Sequence, residues 1–126
     1  MDTKATDIEL IQKTVQYYFD GLYHSDVEKL EKAFHPNSQV IGYFDGSLSF
    51  EPFDGFLEFV KATPAPIESG EEYDMEIVSI DVTANEAVAK VANLYLGLRF
   101  TDYLSLLKVD GNWVIVNKIY YYEPKK

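Results

Sequence analysis

The chain has no cysteine, so disulfides, thiol nucleophiles and thiolate metal sites are excluded. Imidazole can come only from His24 and His35. The sequence also lacks an EF-hand loop, a P-loop and a His-x-x-His helix, the spacings typical of metal and nucleotide sites. We therefore expect no metal and no cofactor.

Basic residues and long apolar runs are scarce as well. Lys and Arg total 11 against 21 Asp and Glu, and the net charge is -10. Because basic side chains that neutralise phosphate supply most of the affinity for nucleic acid, we expect neither nucleic acid nor an anionic membrane as a partner. No apolar run approaches the ~18 residues of a membrane span. A cytoplasmic location is the expectation.

Aromatic residues are abundant in this chain of 126 residues, which has 8 Phe, 10 Tyr and 1 Trp. The length and the lack of a linker-like stretch predict one domain over residues 1–126. Many aromatic rings suit either a shell around a cavity or a bulky core.

Helices dominate the first half of the chain. A capping box at Thr6-x-x-Glu9 predicts a long first helix, and a second one at Ser25-x-x-Glu28 predicts a helix that stops before Pro36. A third helix is predicted after Pro52.

Strands alternate with and follow these helices. A short hairpin is predicted from Val40 to Phe50, and four long antiparallel strands from Tyr73 onward, with a β-bulge near Ile77-Val78 where the apolar alternation changes phase. The predicted class is α+β, a curved antiparallel sheet with the three N-terminal helices on one face.

The clearest hairpin signal is Asp110-Gly111, which lies between two runs of β-branched and aromatic residues. The predicted cross-strand pairs are Leu106 with Ile115, Leu104 with Asn117, Asp102 with Ile119, and Phe100 with Tyr121. Because side chains alternate, Trp113, Asn117 and Tyr121 are predicted on the face that carries Asp102, and all three are candidate ligand-binding residues.

A second turn is predicted at Gly97-Leu98. It places Asn93 opposite Asp102 and Tyr95 opposite Phe100. Three polar side chains, Asn93, Asp102 and Asn117, then meet on an otherwise apolar face, where a slip of one residue would separate them. We take this cluster as the candidate ligand pocket, with Tyr95, Phe100 and Tyr121 as a stacking wall or as ordinary packing.

Asp102 is the central candidate of the cluster. If burial favours its neutral form, it acts as a general acid or base; if the amides favour its charged form, it is a fixed anion that orients a ligand. It could also be a satisfied structural network, or an ion pair with Arg99 or Lys118 where the strand is locally irregular.

The opposite face of the sheet is too apolar to be a solvated surface. Its predicted members are Leu94, Leu96, Tyr103, Leu107, Val114, Val116, Tyr120 and Tyr122. We expect a two-fold homodimer through this face.

Three segments give the chain a family resemblance: Phe-His-Pro-Asn after the second helix, Gly-Leu-Arg-Phe-Thr-Asp-Tyr, and Val-Asp-Gly-Asn-Trp-Val-Ile. With the order of elements, they resemble the nuclear transport factor 2-like superfamily, and within it the lumazine-binding-like group, relatives of ketosteroid isomerase and the polyketide cyclases. The resemblance implies a cone with a deep apolar interior pocket, commonly dimerised through the outer sheet face.

The resemblance also indicates catalytic positions. The oxyanion tyrosine of ketosteroid isomerase corresponds to Tyr18, which at helical spacing could equally be a core residue. The general base of that family corresponds to Gly42 and is therefore missing, and its protonated aspartic acid corresponds most nearly to Ser105. His35 is a candidate base or a cap of the preceding helix.

Three functions remain open. The first is binding of a small hydrophobic or planar metabolite without turnover. The second is a lyase, isomerase or cyclase that acts on a small carbonyl or polyketide-like compound, with Asp102 and either Tyr18 or His35. The third is a protein-interaction adaptor. An open polar pocket would favour the first two, and a pocket filled by its own side chains would favour the third.

Overall fold

The computed structural model describes residues 3–124, and their side chains from residue 6 onward. In chain order its elements are α1 (Thr3–His24), α2 (Val27–Ala33), β1 (Phe34–Phe44), β2 (Ser47–Pro52), α3 (Phe53–Ala62), β3 (Met75–Thr83), β4 (Glu86–Tyr95), β5 (Leu98–Val109) and β6 (Asn112–Pro124). In the part of the chain described, no helix is both long and apolar enough to cross a membrane.

The six strands form one sheet in the order β2-β1-β6-β5-β4-β3. All neighbours are antiparallel except β1 and β6, which run parallel. The sheet curves around the helices, and residues of α1 such as Val15 and Leu22 pack with Val91 and Leu104 of the inner sheet face in a common core. The predicted α+β class is confirmed.

The helix starts differ from those predicted. α1 begins at Thr3, ahead of the capping box at Thr6. α2 is capped by Asp26, whose Oδ1 accepts a hydrogen bond from the Lys29 amide at 3.2 Å. Ser25 cannot be the cap because its φ of 52° is left-handed, whereas an N-cap residue needs an extended backbone.

Two local predictions are confirmed. The pairing of β3 with β4 shifts between Ile77 and Ser79, which places a bulge at Val78. The turn between β5 and β6 is Asp110-Gly111, with φ values of 51° and 82°. Both φ values are positive, as a tight type I′ hairpin turn requires.

The turn between β4 and β5 lies one residue earlier than predicted. Leu96 and Gly97 have φ values of 56° and 76°, and Asn93 consequently pairs with Phe100 rather than with Asp102. The Glu71 carboxylate accepts hydrogen bonds from the amides of Leu96 at 2.9 Å and Gly97 at 2.6 Å, which holds this turn in place. Since the register moves by two residues, Asn93 still faces the same side as Asp102.

A bulge in β6 was not predicted, and it changes the site. Leu106 pairs with Ile115 as expected, but the next pair is Ser105 with Asn117, so Val116 is an extra residue. Beyond it the faces of β6 exchange. Lys118 and not Asn117 therefore lies on the inner face, and the predicted position of Asn117 in the pocket is wrong.

The same bulge corrects the predictions for the end of β6. Tyr121, predicted in the pocket wall, is 63% exposed, and Ile119 is 49% exposed. Tyr120 and Tyr122, predicted on the outer face, lie on the inner side with Phe100, at ring centroid distances of 5.9 and 5.5 Å.

Candidate functional site

Asp102 lies at the centre of the inner sheet face and is completely buried. Its Oδ2 accepts a hydrogen bond from the Tyr18 hydroxyl at 2.7 Å and one from the Asn93 amide nitrogen at 2.9 Å. Its Oδ1 is also buried and has no hydrogen-bond partner among the described residues. Three elements, α1, β4 and β5, thus converge on one carboxyl group.

Tyr18 is a structural neighbour of Asp102 rather than a free hydroxyl. Its side chain is fully buried in α1, with the Phe34 ring 5.5 Å away in an edge contact. Burial, followed by the nearby Asp102 carboxylate, raises the pKa of Tyr18 well above its usual value. The hydroxyl therefore stays protonated and donates a hydrogen bond to Asp102.

Lys118 is a second functional candidate. It lies on the inner face because the bulge at Val116 interrupts the regular pairing of β6 with β5. Its side chain is only 5% exposed. Four aromatic rings surround its nitrogen, with centroids 4.9 Å (Phe56), 5.0 Å (Tyr18), 5.8 Å (Tyr120) and 5.9 Å (Phe100) from Nζ. Burial lowers the pKa of the Lys118 amine, and the negative charge of Asp102 opposes part of that shift.

No carboxylate among the described side chains forms an ion pair with Lys118 within 4.0 Å. The alternative of an ion pair between Lys118 and Asp102 is therefore not formed as a direct contact, although the strand irregularity on which it depends is present. The sequence places two polar residues, Asn117 and Lys118, side by side in an apolar strand. It does not say which of the two faces inward.

A cavity of about 440 Å³ opens beside this group. Lys118 and Asn93 line it, together with apolar side chains that include Leu22, Phe56 and Phe100. Asp102 and Tyr18 are not part of its wall. The carboxyl group therefore lies behind the cavity wall, of which Lys118 and Asn93 are part.

Tyr95 adds a hydroxyl group to the cavity wall. Its hydroxyl is buried and has no partner in the described part of the chain. Burial, with a smaller effect of Glu71, raises the pKa of Tyr95 to about 12. The hydroxyl is therefore protonated near neutral pH and available as a hydrogen-bond donor. Glu51 of β2 also lines the cavity and contributes a carboxylate.

Other predicted site residues lie elsewhere. Trp113 is buried, but its indole nitrogen donates to Asp7 at 3.2 Å, away from the cavity wall. His35 lies at the start of β1, where its Nδ1 accepts a hydrogen bond from the Asn37 amide at 3.0 Å. Neither residue lines the cavity. Of the predicted wall, Tyr95 and Phe100 are adjacent, with ring centroids 6.4 Å apart.

Close packing against Tyr120 leaves no room for a side chain at position 42. A Cβ at this position would lie 2.8 Å from both the ring and the carbonyl oxygen of Tyr120. An aspartate therefore does not fit at this position without moving β6. Ser105 lies on the outer face, opposite Asn117. The carboxyl pair of ketosteroid isomerase is thus not reproduced at the corresponding positions.

Metal ligands do not gather anywhere in the described structure, which contains no group of three or more His, Asp or Glu side chains able to hold an ion. The chemistry that this arrangement supports is that of an amine, a carboxylate and a phenol around an apolar cavity.

Comparisons with known proteins show which proteins the chain is similar to. Over 123 residues it is 24% identical to "Aldolase FrzH" of Cladobotryum sp., covering 96% of this chain and 95% of that protein. A solved NTF2-like protein of unknown function from Silicibacter pomeroyi is 26% identical, with a TM-score of 0.88 and coverage of 98% and 100%. Another, from Shewanella baltica, is 28% identical, with a TM-score of 0.87 and coverage of 96% and 97%.

A family model also matches the chain. The match covers residues 6–121, nearly the whole of the fold and the entire site, and the family is described as "Putative lumazine-binding". The chain belongs to this lumazine-binding-like family, within the nuclear transport factor 2-like superfamily.

Proposed function

We propose that this protein is an enzyme that makes or breaks a carbon–carbon bond next to the carbonyl group of a small molecule held in the cavity. The observation that carries the proposal is Lys118, a buried amine in the wall of an apolar cavity, with the Asp102 carboxyl group behind it. Of the functions considered from the sequence, this is the lyase or cyclase.

An aldol-type reaction needs a group that acts on the carbonyl and a group that accepts and returns a proton. Lys118 is placed for the first task because it lines the cavity. Asp102 suits the second, because Tyr18 and Asn93 both donate to its Oδ2 while Oδ1 has no partner among described residues. Since Asp102 is behind the wall, it acts on the reaction through Lys118.

The size and the lining of the cavity suit a small, partly aromatic ligand. Its volume of about 440 Å³ lies within the range of about 300–1,000 Å³ typical of small-molecule sites. Phe100 and Tyr120 form an aromatic wall, and the Tyr95 hydroxyl can donate to a second oxygen of the ligand. A cavity of this size favours a ligand over the adaptor function, for which the interior would be filled.

The similarity to an aldolase favours turnover over binding alone. It extends over 96% of this chain, so it includes every residue of the candidate site. Ligand binding without turnover is the competing function, and a retro-aldol assay distinguishes the two.

The test uses a β-hydroxyketone that carries a methoxynaphthyl group, whose retro-aldol cleavage releases acetone and a fluorescent naphthaldehyde. We expect the wild-type protein to release aldehyde faster than buffer alone. Asp102→Asn should lower the rate by about a hundredfold, because the proton acceptor is lost while the shape is kept.

The matched control is Asp110→Asn, because Asp110 lies in an exposed turn with a φ of 51° that asparagine tolerates equally well. It should cleave the ketone at the wild-type rate. Binding of the ketone with no aldehyde release would overturn the enzymatic proposal and leave the binding function. Equal rates in the two Asn variants would show that Asp102 takes no part in the reaction.

A further inference from the structure

We infer that Lys118 is a covalent catalyst whose side-chain nitrogen condenses with the carbonyl group of a ketone or aldehyde to form a Schiff base. This inference rests on the proposed function, since it specifies how Lys118 acts on the carbonyl. The substrate class that it implies is an unhindered ketone or aldehyde with a hydrogen on the adjacent carbon or a hydroxyl one carbon further away.

The surroundings of Lys118 differ from those of the lysines that form ion pairs. The nitrogen–oxygen distances in those ion pairs are 3.9 Å for Lys29 with Asp20, 3.2 Å for Lys61 with Glu58 and 3.1 Å for Lys108 with Asp7. Nζ of Lys118 instead faces aromatic rings and an open cavity. Its nitrogen is therefore not held by a carboxylate and can approach a carbonyl carbon.

Burial and the charge of Asp102 act in opposite directions on the pKa of Lys118. The described titratable groups around Lys118 and its cavity are Tyr18 of α1, Glu51 of β2, Tyr95 of β4, Asp102 of β5 and Tyr120 of β6. The α3 ring nearest to its nitrogen is that of the apolar Phe56. Burial dominates and lowers the pKa of Lys118, so a larger fraction of the nucleophilic neutral amine is present than for a surface lysine.

The condensation balances with the amine, the carbonyl group and one proton. In the neutral form of Lys118, the nitrogen lone pair forms a bond to the carbonyl carbon while the C=O π pair moves to oxygen. A proton passes from nitrogen to that oxygen, giving a carbinolamine. The hydroxyl group then takes up a proton from solvent in the open cavity, the C–O bond breaks, water leaves, and the nitrogen lone pair completes a C=N bond.

The product is an iminium ion, which has the same charge as the ammonium that it replaces. The ring faces of Phe56, Tyr18, Tyr120 and Phe100 stabilise this cation, as does the Asp102 carboxylate. The iminium withdraws electrons from the adjacent carbon–carbon bond, which is the electronic requirement of a retro-aldol cleavage.

Acetylacetone is a suitable probe, because a β-diketone condenses with a neutral lysine amine and then rearranges to a stable enaminone. We expect one adduct per chain, with a mass gain of one acetylacetone less one water and a new near-ultraviolet absorption band. Peptide mapping should place it on Lys118. At neutral pH, Lys118 should react at least about tenfold faster than exposed lysines such as Lys61.

Two conservative variants control this experiment. Lys118→Arg keeps a cation but has no nucleophilic amine, so it should form no adduct and cleave no ketone. Lys61→Arg, at a site where the lysine side chain is 54% exposed, should react as the wild type does. If Lys118→Arg does not fold, as judged by circular dichroism, the peptide map of the wild type still decides the site.

A third variant separates a positioned amine from one that is merely accessible. Because the charge of Asp102 raises the pKa of Lys118, Asp102→Asn should move the pH dependence of adduct formation to lower pH. Asp110→Asn should leave it unchanged. A pH profile of Lys118 labelling that matches that of Lys61 would overturn the inference, as would adducts confined to other lysines.

Failure of this inference is distinguishable from failure of the proposed function. If Lys118→Arg still cleaves the methoxynaphthyl ketone, the carbon–carbon chemistry stands and the covalent step is overturned. If acetylacetone labels Lys118 but the ketone is not cleaved, the nucleophile is supported and the retro-aldol assignment is overturned.

Discussion

At the residue scale, the buried Lys118 amine links stability to pH. Its pKa is lowered in the folded state relative to the ordinary value of 10.5. Between those two pKa values the unfolded chain binds more protons than the folded one, so the free energy of unfolding gains a contribution that rises with pH. Below the folded pKa, the cost of holding a charged amine in the interior is fully present.

Lys118→Met tests this linkage because methionine cannot be protonated. We expect the unfolding free energy of the wild type to rise relative to that of the variant as pH increases toward 10.5, by at most about 1.4 kcal/mol per pH unit. Urea unfolding of both proteins across this range measures the difference. The raised pKa values of Tyr18 and Tyr95 act in both proteins and largely cancel.

Lys61→Met provides the comparison, since Lys61 is exposed on α3. Its stability difference from the wild type, measured over the same range, is the reference for a lysine outside the cavity. A constant difference for Lys118→Met would show that Lys118 is hydrated in the folded protein.

At the element scale, the turn between β4 and β5 depends on a side chain from outside the hairpin. The Glu71 carboxylate accepts from both turn amides, and the carbonyl of Glu71 accepts from the Tyr23 hydroxyl at 2.7 Å. Hydrogen bonds to a charged acceptor are stronger than neutral ones. Because Tyr95, Leu96 and Leu98 line the cavity, this contact positions one side of its wall.

Glu71→Ala should loosen this turn. We expect the amides of Leu96 and Gly97 to exchange with deuterium faster, and the unfolding free energy to fall by about 1–3 kcal/mol, the cost of removing a charged hydrogen-bond acceptor. Hydrogen exchange followed by NMR measures the first effect and urea unfolding the second. Glu76→Ala, at an exposed position of β3, should change neither. Unchanged exchange in Glu71→Ala would show that the turn is stable by itself.

At the scale of the whole molecule, an apolar patch on the outer sheet face is not covered by any part of residues 3–124. Its members and their exposed fractions are Val88 (38%), Leu107 (43%), Tyr103 (48%), Ile119 (49%) and Tyr121 (63%). The bulge at Val116 places the last two there in exchange for Tyr120 and Tyr122. A contiguous exposed apolar patch of this kind is typical of an interface.

We propose that two copies of the chain associate through this patch with two-fold symmetry. Sedimentation velocity at micromolar concentration should show a dimer for the wild type and a monomer for Tyr103→Glu, because a carboxylate would be buried at the interface. Leu10→Glu, on α1 and 38% exposed, should remain dimeric. A monomeric wild type would contradict the proposal.

The sequence by itself determined the α+β class, the three helices, the bulge at Val78 and the Asp110-Gly111 turn, because hydrophobic periodicity and turn residues act over a few neighbouring positions. It also placed Asn93 on the side of Asp102. That prediction held despite the shifted turn, because an error of two residues leaves the faces of a strand unchanged.

Only the tertiary structure decided which groups face the cavity. The turn at Leu96-Gly97 depends on Glu71, which lies 25 residues away along the chain, and the bulge at Val116 has no local turn signal. A bulge of one residue exchanges the two faces of a strand, so it brought Lys118 inward in place of Asn117. Strand register beyond a turn is set by packing against other elements, and that register decided which polar side chain faces the cavity.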